Sequence, residues 1–338
     1  MILVTGSTGL LGRIIALELV KRGKKVRACK RAGSDLSEVK HSFKFYTSDA
    51  NHYFDSIEWV DMDYEDHSSL YDSMTDITEI YHCAAKVSFD PDDREEILET
   101  GVNMTRTLLH AALYMKIKKF LFVSSASTFH VPGENLNPEM RDHPENINFP
   151  AHVISKCICE KMVLSAYTKG LNAIIINPGM IIGSGNWKGK KNMVTNFFAV
   201  SRFTFTGGTS VVDVRDVAAV AVDLMDKNLF GERFCIVSEN ILFKNLTQRI
   251  REKTGLSKPW VLPESFLRII SILRPILGIL NAKTRFLTDE NIEFVSEKKY
   301  FSGEKIKQLL DHQFYPANEA IQFHYGNYLT FKNQIRSR

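Results

Sequence analysis

The first twelve residues constrain this chain most. Met1-Ile2-Leu3-Val4 is a short apolar run of strand formers, and Thr5-Gly6-Ser7-Thr8-Gly9-Leu10-Leu11-Gly12 follows it directly. After Gly12 the apolar residues Ile14, Ile15, Leu17, Leu19 and Val20 keep helical spacing, until Lys21-Arg22-Gly23 supplies a cationic last turn and a glycine stop. The pattern predicts a strand, a glycine turn and a helix start. Glycines at such a junction suit a phosphate: Gly6 permits the tight turn, Gly9 lets backbone approach a pyrophosphate, and Gly12 lets helix pack against sheet. The free N–H groups of the helix start would face the anion. The competing reading is an ordinary strand-to-helix turn.

The Gly-x-x-Gly-x-x-Gly spacing preceded by Thr5 resembles the extended short-chain dehydrogenase/reductase family, within the NAD(P)-dependent epimerase/dehydratase superfamily. That resemblance implies a doubly wound α/β Rossmann fold with a smaller C-terminal substrate lobe. The expected division is residues 1–180 and 211–240 for the dinucleotide-binding domain, and 181–210 and 241–338 for the substrate lobe. A length of 338 residues allows one large core plus such a lobe. A net charge of +4 is too small to argue for nucleic acid. Five cysteines fit neither a disulfide framework nor zinc spacing, so no metal is expected and a reducing cytoplasm is the simplest setting. With the first strand starting at Met1, no signal peptide is expected.

The second strand, Val26-Arg27-Ala28-Cys29, ends in Lys30-Arg31. In this fold the residue closing that strand reads the adenosine ribose, and a carboxylate there would repel a 2′-phosphate. Cations at Lys30 and Arg31 therefore favour NADP(H) over NAD(H), unless they are solvated surface charges. The run also resembles the dihydroflavonol-reductase-like branch, in which an Arg at the position of Arg31 meets the 2′-phosphate. Residues 32–56 should hold about one helix and a loop. Ile57–Val60 reads as a third strand. The resemblance implies that Asp63, with Tyr64 alongside, meets the adenine. Glu79–Ala85 reads as a fourth strand resembling the His-x-Ala-Ala signature. Ala84 and Ala85 would let backbone lie against the cofactor, Lys86 could face phosphate or solvent, and His82 reads as a hydrogen-bonded core histidine. Thr8, Leu10 and Leu11 complete the expected phosphate turn. Ser124, Lys156 and Pro178-Gly179-Met180-Ile181 form the expected nicotinamide side.

Phe120–Val123 is a fifth strand running into Ser124-Ser125, where Ser125 occupies the family's catalytic serine position. The family then requires Tyr-x-x-x-Lys, a spacing that puts both side chains on one helix face. This chain has His152-Val153-Ile154-Ser155-Lys156, with Glu160 also in register, and no tyrosine lies between Tyr114 and Tyr167. The proton donor of the family is therefore absent. His152 beside Lys156 should be mainly neutral near pH 7, a reasonable base and a poor acid. The long helix before it departs too: Gly101, Met104 and Thr107 stand where the family has Asn, Gly and Asn.

Leu171–Asn177 is a sixth strand, and Asn177-Pro178-Gly179-Met180-Ile181-Ile182-Gly183 resembles a segment of reductase-like members. Asp213 and Asp216 read as structural caps. Phe266–Leu280 is the most apolar run, too short and interrupted to span a bilayer. It reads either as a pair of substrate-lobe helices or as a surface in peripheral contact with lipid. The polar loop from Val131 to Phe149 should shape a substrate entrance, and the chain could pair as a homodimer. The expected activity is hydride transfer between NADP(H) and a carbonyl or hydroxyl of a small organic substrate, with catalytic Ser125, His152 and Lys156. Two alternatives stand beside it, a nucleotide-sugar epimerase or dehydratase and an NADP-binding protein with little catalysis.

Overall fold

A computed structural model describes residues 1–86, 88–129, 149–185, 187, 201–280 and 286–336, the side chains of 274–280 and 334–336 excepted. The strands are β1 (Ile2–Thr5), β2 (Val26–Lys30), β3 (Glu58–Asp61), β4 (Glu79–His82), β5 (Lys119–Val123), β6 (Asn172–Pro178), β7 (Met180–Ile182), β8 (Phe203–Phe205), β9 (Gly208–Asp213), β10 (Arg233–Ile236), β11 (Glu239–Leu242) and β12 (Trp260–Leu262). The helices used below are α1 (Leu10–Lys21), α2 (Ser37–Phe43), α3 (Ala50–Asp55), α4 (His67–Ser73), α5 (Arg94–Tyr114), α6 (Ala151–Thr168), α7 (Val214–Asp226), α8 (Phe243–Lys253), α9 (Glu264–Leu280), α10 (Asp289–Ser296), α11 (Glu304–Leu310) and α12 (Ala317–Arg336).

The main sheet runs β10-β6-β5-β4-β1-β2-β3, and every pairing in it is parallel. A parallel sheet needs both faces covered, so its central strands must be apolar throughout. Phe120 to Val123 and Ala173 to Pro178 are accordingly all buried, whereas the edge strand β3 exposes Glu58 and Asp61. Two cores result. One packs α1 and α7 on one face through Ile15, Leu19, Val217 and Leu224. The other packs α5 and α6 on the opposite face through Leu108, Ala112, Cys159 and Val163. Strand order reverses about β1, which lies between β4 and β2, so a crevice opens beyond the carboxyl ends of β1 and β4.

Strands β11-β9-β7 form a second sheet, and β12-β8 a third. Helix α12 is tied back at Asp213. His324 sits between the Asp213 carboxylate at 3.0 Å and Ser184 Oγ at 2.7 Å. Burial opposes ionisation of Asp213, but hydrogen bonds from His324 and Arg215 outweigh it and hold the carboxyl at about 2. Asp213 also caps α7 by accepting from Arg215 N. Asp216 accepts from Tyr315 N and pairs with His312, so both acids are structural, as the sequence suggests.

Three local expectations change. Strand β4 stops at His82, because Cys83–Ala85 leave the ladder where Ala84 N turns to donate to Thr5 Oγ1. The segment 32–56 holds two short helices, α2 and α3, packed through Phe43 and Phe54 at 6.0 Å. The apolar run forms one helix, α9, continuous through Pro275. The loop expected at the substrate entrance lies outside the described residues, apart from Phe149.

The carboxylate of Glu160 fastens α6 to the sheet. It accepts from Ser124 Oγ, from Thr128 Oγ1 at 2.9 Å and from Asn177 Nδ2 at 2.6 Å, and Arg233 Nη1 pairs with its other oxygen at 3.2 Å. Those partners come from the ends of β5 and β6, the turn after β5, and β10. A charge with no exposed surface tolerates burial only with such a shell. Glu160→Ala would break this buried pair and strip Ser124, Thr128 and Asn177 of their shared acceptor, so it should cost about 3–5 kcal/mol in denaturant unfolding. A loss below about 1 kcal/mol would show that the cluster is not what seats α6.

Candidate active site

The glycine turn sits at the crevice. Gly6 has φ +66°, and a Cβ there would lie 2.7 Å from Ala84 N; one on Gly12 would lie 2.4 Å from Gly6 O. These contacts leave no room for side chains, so turn, α1 and the end of β4 close to backbone distance. Gly9 caps α1 with no side-chain acceptor, and the first turn holds no acid. Its N–H groups are therefore offered outward, the arrangement an anionic phosphate requires. The residues present fit a pyrophosphate. Arg13, which the sequence reading did not single out, braces the turn from inside. It is buried, with Nε donating to Gly9 O at 3.0 Å and Nη2 to Thr8 O.

A buried polar chain fixes the turn to α5. Thr5 Oγ1 meets His82 Nδ1 at 2.7 Å, His82 Nε2 meets Thr105 Oγ1 at 3.2 Å, and Thr105 Oγ1 donates to Gly101 O at 3.0 Å. Burial pushes His82 down to about 3. It is the neutral core histidine the sequence suggests.

Several expected cofactor residues are already engaged. Lys30 pairs with Asp61 across β2 and β3, while the exposed Arg31 has no ion pair among the described residues. Two adjacent cations thus differ, because Lys30 points back to the neighbouring strand. Lys86 pairs with Asp93 at 3.5 Å and with Glu96, so its charge is neutralised at the start of α5. Asp63 is exposed, its Oδ1 accepting from Glu65 N at 3.0 Å. Tyr64 turns inward, its hydroxyl buried beside Thr5, Cys29 and Cys83, and burial pushes its pKa up. Ser124 gives its hydroxyl to Glu160. Gly179 packs under Ser210, where a Cβ would lie 2.6 Å from Ser210 O, and its neighbours Met180 and Ile181 are half-buried.

His152, Lys156 and Glu160 recur every four residues and share one face of α6. With Glu160 anchored below, Lys156 Nζ donates to Val123 O at 2.6 Å and lies 4.6 Å from the centre of the Phe122 ring. Burial lowers its pKa. Ser125 follows two residues later; its carbonyl accepts from Asn177 Nδ2 at 3.2 Å and its Oγ from Ser127 N at 3.2 Å. One turn before Lys156, the His152 ring meets Phe89 edge-on at 4.9 Å and Phe294 at 5.8 Å, with its Nδ1 buried and unpaired among the described residues. Burial first, then Lys156 and Lys299, hold it down at about 4. Helices α5 and α6 approach closely at Gly101, where a Cβ would lie 2.4 Å from Ser155 Oγ.

Lys299 is a further residue that sequence reasoning missed. It is buried, its ammonium 3.7 Å from the Phe294 ring centre and donating to Phe294 O, and burial lowers its pKa to about 8. Nothing in Glu297-Lys298-Lys299-Tyr300 marks one lysine as buried. Among the described residues, no cluster of His, Cys, Asp or Glu could hold a metal, and no helix is long and apolar enough to cross a membrane. All five cysteines are free.

This geometry has counterparts. The chain is 29% identical over 281 residues to sterol demethylase protein B of Methylococcus capsulatus, covering 80% of each chain. It is 27% identical over 264 residues to a putative dihydroflavonol 4-reductase of Synechocystis, covering 76% of this chain and 73% of that one. Its fold superposes on the Bordetella bronchiseptica enzyme WbmH, solved in complex with NAD+, with a TM-score of 0.71 at 18% identity and 97% coverage of both. Residues 2–234, from β1 into β10 and so nearly the whole main sheet, match the model of the NAD dependent epimerase/dehydratase family. The chain belongs to that family, a group of NAD(P)-binding Rossmann proteins within the extended short-chain dehydrogenases/reductases.

Proposed function

We propose that this chain is an NADP(H)-dependent oxidoreductase that moves a hydride between the cofactor and a carbonyl or hydroxyl of a small organic substrate, with His152 in the place of the family's tyrosine. The observation that carries the reading is the placement of Lys156, held on Val123 O two residues before Ser125, with a neutral imidazole one helical turn before it on α6. The nicotinamide, when bound, supplies or takes the hydride. Lys156 keeps N–H groups beyond the one given to Val123 and would offer them to the ribose hydroxyls of a bound cofactor. Ser125 Oγ donates to the substrate oxygen. His152, unprotonated above about pH 4, accepts the hydroxyl proton in the oxidation direction. Lys156 and Lys299 supply the positive field that keeps it neutral and that stabilises a developing alkoxide. Phe89 and Phe294 surround the imidazole with apolar surface, which suits a substrate of low polarity better than a sugar. The relative named for a dihydroflavonol reductase supports the same preference.

Cofactor choice should rest on Arg31 alone, since Lys30 is paired. Wild type should bind NADPH more tightly than NADH, and Arg31→Ala should lose about 10- to 100-fold of that preference, the worth of a charge-assisted hydrogen bond. Lys30→Ala should change it little. Equal calorimetric affinities of the wild type for the two cofactors would overturn the assignment.

His152 makes a separate prediction. A folded pKa of about 4 means that the neutral base is present above it and lost as pH falls through it, so kcat/KM for alcohol oxidation should fall with a limb near 4. A limb at the ordinary imidazole value of 6.5 would show that the ring is solvated in the working enzyme. His152→Tyr would restore a phenol beside Lys156, and carbonyl reduction should rise by about 10² to 10⁴. If NADPH binds to both proteins and neither turns over a panel of carbonyls and alcohols, the chain is a cofactor-binding protein.

A further inference from the structure

Helix α9 is apolar on the side it buries and also on the side it exposes. Leu267 packs inward, while Phe266, Ile269, Ile272 and Leu273 face out, with Ile269 at 55% and Ile272 at 77% exposure. An ordinary surface helix carries polar residues on that outer face. The surface continues through Pro263 into β12, where Trp260, 75% exposed, pairs in register with the exposed Phe203 of β8. A tryptophan, a phenylalanine and four aliphatic or aromatic helix residues are thus left uncovered on elements that follow one another in the chain.

Charge shows what would cover it. Along α9 the charges are mixed, since Asp289 and Glu293 act on Arg268 as well as Glu264. Arg268 is neutralised by Glu264 at 2.7 Å, but the exposed Lys258 and Arg202 beside Trp260 and Phe203 have no ion pair among the described residues. A second copy docked face to face would set these charges against their own kind. Exposed apolar side chains with an amphipathic tryptophan flanked by two cations unpaired among the described residues instead match the interface of an anionic bilayer, where apolar side chains enter the acyl boundary and cations meet headgroups.

We infer that the α9 and β8-β12 face is a docking surface for a membrane of anionic lipid. The docked face is joined to the site already described. Ser271 Oγ of α9 donates to Leu287 O at 3.0 Å, and Asn291 Nδ2 of α10 donates to Phe89 O at 2.9 Å. Phe89 and Phe294 are the rings that enclose His152.

The test is co-sedimentation of the full chain with vesicles of phosphatidylcholine alone or mixed with phosphatidylglycerol. Binding should require phosphatidylglycerol and weaken as salt is added. It should fall at least about 100-fold in Ile269→Glu/Ile272→Glu, whose side chains are already in water and whose fold should survive. Lys258→Glu with Arg202→Glu should lose about tenfold or more on anionic vesicles. Trp260 fluorescence should shift to the blue on binding, and that shift should vanish in Trp260→Phe. Absence of binding to anionic vesicles at low ionic strength would overturn the inference, as would equal binding to neutral ones. A dimer in sedimentation equilibrium that Ile269→Glu/Ile272→Glu dissociates would overturn it too, by giving the face to a second copy.

Discussion

The site depends on a carboxylate that touches no substrate. Glu160 is buried at the junction of β5, β6 and β10, and each hydrogen bond it accepts fixes one element relative to α6. Ser124 and Thr128 bind the chain leaving β5, Asn177 binds the end of β6, and Arg233 closes the shell from β10. With that register set, the 3.6-residue period delivers Lys156 and His152 on successive turns above it. Buried charge of this kind adds little net stability compared with a packed apolar core, but a mispaired alternative would leave it unsatisfied. Its effect is to permit one seating of the helix.

Burial governs the chemistry above that anchor. His152 is boxed by two phenylalanines and faces two lysines, so both desolvation and charge favour its neutral form. Lys156 and Lys299 resist the same desolvation through a carbonyl and a ring face each. The glycine turn follows a related logic at backbone scale. At Gly6 and Gly12 the neighbouring backbone fills the space a Cβ would need, and the turn's open side is left to donors.

Helix α12 and the chain after β7 are joined to the main sheet's elements through buried polar contacts, with His324 between Asp213 and Ser184, and Tyr46 exchanging hydrogen bonds with the backbone of Ser184. Helix α9 and β12 expose apolar side chains, Trp260, Phe266, Ile269 and Ile272 among them. On the main sheet's side several cations find carboxylates, as Lys24 finds Asp226 and Lys40 finds Asp55. Around Trp260 they do not.

The sequence by itself determined the strand-glycine-helix opening, the six strands that follow one another through β6, the identity of His82 as a core residue, and the shared face of His152 and Lys156. All of these rest on local period, on glycine at a turn, or on one apolar run, which are properties of neighbouring residues. Only the tertiary structure decided which charges are free. Lys30 and Arg31 are adjacent and alike in sequence, yet the first is bound by Asp61 on the next strand and the second is not. Lys86 is lost to the start of α5, Tyr64 turns inward, and Lys299 and Phe294 arrive at His152 from some 140 residues away in the chain. A side chain's partner across strands or between lobes is set by packing, and no spacing rule within one segment encodes it.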